Sequence, residues 1–138
     1  LKSDYALAYY SRALSKNNLG WYEAALADYD KALVLEPDCF TYNNRGVTKY
    51  NMKAYDAAIT DYNKAIELDP GYALAYFNRC NAYWRQGKYF LAVQERIKAM
   101  RLEASWPWYL FLAGILGIVY SILEEIWKRW KSRKPKTG

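Results

Sequence analysis

The chain has 138 residues, a quarter of them charged, with a formal net charge of +6 and no histidine. That length holds one ordinary domain and a short appendage, and the missing imidazole removes the commonest general base and the commonest metal ligand together. Two cysteines, Cys39 and Cys80, make no disulfide framework and have no zinc-site spacing, so they read as reduced core residues.

The position of the charge matters more than its size. Residues 1–103 are close to balanced, with 14 basic and 12 acidic side chains. Residues 104–138 set Glu124 and Glu125 against Lys128, Arg129, Lys131, Arg133, Lys134 and Lys136. The basic excess is mainly a tail rather than a nucleic-acid-binding face. No nucleophile elbow, phosphate loop or paired carboxylates in a cleft occur, so the sequence points away from an enzyme and implies no cofactor, metal or small-molecule substrate.

In chain order, the first element is ALAYYSRALSKNNLG, Ala6 to Gly20, followed by YEAALADYDKALVLEP, Tyr22 to Pro37. In the second of these, Ala25, Leu26, Tyr29, Ala32 and Leu33 recur at intervals of three and four, the period of an amphipathic helix. CFTYNNRGVTKYNMK (Cys39 to Lys53) and YDAAITDYNKAIELDP (Tyr55 to Pro70) repeat the pair. ALAYFNRCNAYWRQG (Ala73 to Gly87) and YFLAVQERIKAMRLEA (Tyr89 to Ala104) repeat it again at nearly the same interval, with more drift. Gly20 and Gly87 stand where the first helix of a pair ends in a left-handed residue, and Pro37 and Pro70 where a second helix must stop. Glu36 and Asp69, just before those prolines, read as solvated turn residues.

With these residues in place, the chain resembles the tetratricopeptide repeat (TPR) family, whose unit of about 34 residues is a helix-turn-helix. The family pattern falls on Tyr9, Ala13, Gly20, Ala25, Tyr29, Ala32 and Pro37. It falls next on Tyr42, Gly46, Lys53, Ala58, Tyr62, Ala65 and Pro70, and last on Tyr76, Cys80, Gly87, Ala92, Arg96, Ala99 and Ala104. The resemblance implies an all-α solenoid of three repeats, 6–38, 39–72 and 73–106, wound as a right-handed superhelix within a domain spanning 1–105. Ala13, Gly46 and Cys80, with Ala25, Ala58 and Ala92, fall where paired helices approach closely, and larger side chains there would cost about 1–3 kcal/mol each. Arg96 and Ala104 depart from the pattern, so the last helix is expected to turn or kink at Pro107 into the segment that follows.

Function in the resembled family is protein recognition on the face lined by the first helices. The pattern places there Leu7, Tyr10, Ser11, Leu14 and Asn18; Phe40, Asn43, Asn44, Val47 and Asn51; Leu74, Phe77, Asn78, Asn81 and Arg85. Apolar anchors mixed with amides suit an extended peptide or a helix. The family's chaperone-tail clamp, which grips a terminal carboxylate, is not expected: Tyr10, Leu14, Leu74 and Asn78 hold most of its positions and only Asn44 matches.

The last element is WPWYLFLAGILGIVYSIL, Trp106 to Leu123. It lies in a run without Asp, Glu, Lys or Arg between Glu103 and Glu124. Twenty helical residues at about 1.5 Å each reach the roughly 30 Å of a bilayer core. Trp106, Trp108 and Tyr109 at one end, with Trp127 and Trp130 at the other, suit interfacial belts. The sequence therefore predicts a single-pass transmembrane helix over 106–127 and a basic tail over 128–138, with the lipid bilayer as a partner. Ala113, Gly114 and Gly117 form a small-residue face for contact with other transmembrane helices. Charge bias puts the tail on the cytoplasmic or stromal side, and a tail anchor with cytoplasmic repeats is the other topology. The expected role is a membrane-anchored scaffold or assembly factor. The alternative is a soluble adaptor whose apolar helix is buried as a cap or in a dimer or partner interface.

Overall fold

The computed structural model describes residues 2–103 and residue 124. The chain divides after Glu103 into two units, and six α-helices account for the first: α1 (Lys2–Asn18), α2 (Tyr22–Leu35), α3 (Cys39–Asn51), α4 (Tyr55–Leu68), α5 (Ala73–Arg85) and α6 (Tyr89–Glu103). The pairs α1/α2, α3/α4 and α5/α6 are the tightest, and α2 packs on α3 as α4 packs on α5. The helix-turn-helix expectation holds for all three repeats.

Each turn within a pair is closed the same way. Trp21 N–H donates to Lys16 O at 2.9 Å and Gly20 N–H to Asn17 O at 3.0 Å. The same two bonds recur from Ala54 to Lys49 and Lys53 to Tyr50, then from Lys88 to Tyr83 and Gly87 to Trp84. These bonds satisfy the last carbonyls of the helix by bending one residue into the left-handed region. Gly20 at φ 78°, Lys53 at φ 63° and Gly87 at φ 73° are those residues. The turns between repeats differ, since α2 and α4 end at Leu35 and Leu68 just ahead of Pro37 and Pro70. Asp38 then caps α3, its carboxylate accepting from Thr41 N–H at 2.9 Å.

The core is rich in alanine, with Tyr29 and Tyr62 its largest fully buried side chains. Ala13, Ala25 and Tyr29 pack together with Tyr10 and Leu14 against them, and Ala58, Ile59, Tyr62 and Ala82 pack with Val47, Tyr50 and Tyr83. A Cβ on Gly46 would lie 2.6 Å from Tyr62 Cε1 and 3.2 Å from Ala58 O, so the close approach expected at this position is real.

A second repeating feature fixes each first helix to its partner. Asp28, Asp61 and Glu95 are buried on α2, α4 and α6, and Arg12, Arg45 and Arg79 reach them from α1, α3 and α5. Each guanidinium also lies 5.3–5.4 Å from the ring centre of the tyrosine one helical turn earlier, Tyr9, Tyr42 or Tyr76. Lys16 and Lys49 add a second cation to Asp28 and Asp61. Paired in this way, the buried carboxylates avoid the cost of an uncompensated charge. Arg45 further bonds Asp30 of α2, and Arg79 bonds Asn63 of α4, which ties each repeat to the one before.

The positions assigned to a membrane helix, Trp106, Trp108, Tyr109, Ala113, Gly114, Gly117, Trp127 and Trp130, lie outside the described residues, as does the expected kink at Pro107. Among the described residues, no helix is long and apolar enough to cross a membrane.

Candidate functional site: the groove of the first helices

Three large apolar side chains at one register position stay exposed: Leu7 at 64%, Phe40 at 54% and Leu74 at 45%. They stand toward the starts of α1, α3 and α5, each one repeat after the last. Burying each would be favourable by about 1.5–3 kcal/mol, so the three form an aligned apolar row left in water. Phe40 is oriented by Tyr72, the two rings meeting edge to face at 5.1 Å.

Between the first two members of the row is a pocket of about 300 Å³, lined by Ala6, Leu7, Tyr10, Phe40 and Thr41 together with the acidic residues Glu36 and Asp38. Burial, reinforced by the Asp38 charge, raises the pKa of the Tyr10 hydroxyl, against a lowering hydrogen bond from Asn44. Burial likewise pushes Tyr72 up to about 12, with Cys39, Tyr10, Asp38 and Asp69 adding to it. Both phenols are therefore neutral donors at physiological pH.

The remaining sequence-predicted groove residues divide into several groups. Asn44 Nδ2 donates to Tyr10 Oη at 2.9 Å, and Asn78 Nδ2 donates to Asn43 Oδ1 at 2.9 Å, so these amides hold successive first helices to one another. Asn43 itself is 1% exposed. Leu14 and Val47 lean onto the core clusters. Asn18 and Asn51 are exposed at the far helix ends, and the Arg85 guanidinium donates to Tyr50 Oη at 3.0 Å. Phe77 lies beneath Arg96 of α6, 4.5 Å from ring centre to guanidinium carbon. Asn81 lines a separate cleft with Trp84, Val93 and Arg96 between α5 and α6.

Two features go beyond the sequence reading. Glu36, which beside Pro37 reads as a turn residue, belongs with Asp38 to the pocket lining. The arginine–carboxylate pairs do leave a signal in the sequence, a constant separation |i−j| = 16 from Arg12 to Asp28, Arg45 to Asp61 and Arg79 to Glu95, recurring once per repeat. Among the described residues, no group of acidic or cysteine side chains is arranged to hold a metal.

Comparison with known proteins agrees with this geometry. Residues 6–39 match the family model described as tetratricopeptide repeat, and residues 49–87 match a second described as TPR repeat. No curated protein sequence matches the chain. Among solved structures, the crystal structure of MamA is similar at 28% identity and TM-score 0.70 over 73% of this chain, which spans only 60% of that one. The second TPR of Spaghetti (RPAP3), bound to the HSP90 peptide SRMEEVD, aligns at 25% identity and TM-score 0.70, over 73% of this chain and 94% of that one. The Yersinia enterocolitica type III secretion chaperone SycD, in complex with a peptide of the translocator YopD, aligns at 25% identity and TM-score 0.72, over 91% of this chain and 95% of that one.

Proposed function

From the premise that this chain is built of tetratricopeptide repeats, we propose that it is a non-enzymatic adaptor which binds a segment of a partner protein along the row Leu7, Phe40 and Leu74. The observation that carries this reading is the alignment of three exposed apolar side chains on successive first helices, with a pocket opening between two of them. Similar domains bound to an HSP90 peptide and to a YopD peptide support an extended segment as the occupant. Selection of displayed peptides on the full chain, followed by rebinding to Phe40→Ala and Leu74→Ser variants, tests it. Selected peptides are expected to lose binding to both variants. Undiminished binding to both would move the site elsewhere.

We further propose that the chain is tethered to a membrane. The uncharged run from Ala104 to Leu123 has the length and aromatic borders of a bilayer-spanning helix, which supports a single-pass tether with the repeats as its attached domain. Tethering raises the effective concentration of a groove whose own affinity is modest. Membrane fractionation with an alkaline carbonate wash decides it. Retention of the full chain, with release of a version ending at Glu103, supports the tether. Release of the full chain favours an apolar segment buried against protein in a soluble adaptor.

A further inference from the structure

The apolar row alone does not say what kind of segment it takes, but the charges around it do. Glu36 and Asp38 line the pocket between Leu7 and Phe40, and among the described residues no cationic side chain lines it. Arg12 and Lys16 of α1 bond Asp28, and Arg45 and Lys49 of α3 bond Asp61, so these four cations are engaged elsewhere. Those contacts turn the four cations toward α2 and α4, so Glu36 and Asp38 are the charges nearest the pocket. The acidic position recurs, Asp69 standing one repeat after Glu36 and shortly before Leu74. A ligand carboxylate entering here would meet like charge, whereas a lysine or arginine beside an apolar anchor would meet a partner.

We infer that the groove selects a partner segment in which an apolar side chain enters the Leu7–Phe40 pocket and a neighbouring lysine or arginine faces Glu36 and Asp38. This inference rests on the groove reading above and assigns it a charge preference opposite to that suited to an acidic peptide tail. The apolar anchor supplies most of the affinity, and the carboxylates supply discrimination.

The test uses the full chain and two fluorescein-labelled peptides with the same apolar side chains, Lys-Leu-Phe-Lys-Leu-Lys and Glu-Leu-Phe-Glu-Leu-Glu, followed by anisotropy. The lysine peptide is expected to bind about tenfold more tightly in low salt, and the difference should shrink as salt shortens the range of the carboxylate charges. The double variant Glu36→Gln with Asp38→Asn should weaken the lysine peptide about five- to tenfold. Asn is a good helix cap, so the helicity of α3 is retained and circular dichroism checks it. Phe40→Ala should weaken both peptides. Equal binding of the two peptides, or an unchanged lysine-peptide affinity in the double variant, overturns the charge preference. Tighter binding of the glutamate peptide that is still lost in Phe40→Ala overturns it while leaving the groove reading intact. Failure of both peptides to bind overturns both readings.

Discussion

Arg45 and Asp61 form the central fastening of the second repeat: Nε and Nη2 of the arginine meet the two carboxylate oxygens at 2.9 and 2.6 Å. Asp61 is 1% exposed, and Arg45 and Lys49 are the cations that face it. Arg45 also reaches Asp30 of the preceding repeat at 2.6 Å. One side chain thus sets both the pairing of α3 with α4 and the stacking of that pair on α2.

Arg45→Ala should therefore destabilise the array by about 3 kcal/mol, because a buried carboxylate is left with half its partners. Urea unfolding followed by circular dichroism measures it. Lys64→Ala is the control: both Lys64 and its partner Glu67 are exposed, and the loss should be too small to resolve.

Gly46→Ala is expected to destabilise by about 1–3 kcal/mol, despite the better helix propensity of alanine. Its Cβ would collide with the ring of Tyr62, which is itself buried and cannot swing away. Thermal melting reads the change, and a neutral result would show that α3 and α4 separate without cost.

Lys53 takes the left-handed conformation that glycine takes at the two equivalent turns. Relieving that strain outweighs the extra chain entropy of glycine, so Lys53→Gly should stabilise the protein by about 0.5–1 kcal/mol. Gly20→Ala, at φ 78° with open space around it, should destabilise by a similar amount through backbone strain alone. Melting of the two variants beside the parent chain checks both signs.

The Asp28 carboxyl is held down to about 2 by the Arg12 hydrogen bond, against the opposing effect of burial and with help from Lys16. A folded-state pKa below the unfolded value gives stability that is fully present above the unfolded pKa, near 4, and is lost as pH falls through the folded value. Acid titration of stability should show a loss between about pH 4 and pH 2. In Asp28→Asn that portion of the slope should disappear.

Much of this arrangement is legible in the sequence because repeat packing is local. The small residue at Ala13, Gly46 and Cys80, the turn at Gly20 and Gly87, and the proline after each of the first two second helices specify their own geometry, so periodicity alone places six helices. The groove is less legible. A register position says which face a side chain starts from, yet Asn43, Asn44 and Asn78 occupy groove positions and spend amide bonds between neighbouring helices. Those bonds join side chains a whole repeat apart, which no local pattern encodes. Glu36 escapes for the opposite reason: its local turn signal beside Pro37 is strong, and its place in the pocket lining emerges only when α1 and α3 come together.

Amide chemical-shift mapping tests the groove as the partner-binding face most directly. A peptide selected on the full chain is titrated into an isotope-labelled sample. The largest shifts are expected to cluster around Leu7, Tyr10, Phe40 and Leu74, with α2 and α4 little changed. Shifts concentrated on the outer faces of α2 and α4, with the Leu7–Phe40 pocket silent, would contradict it.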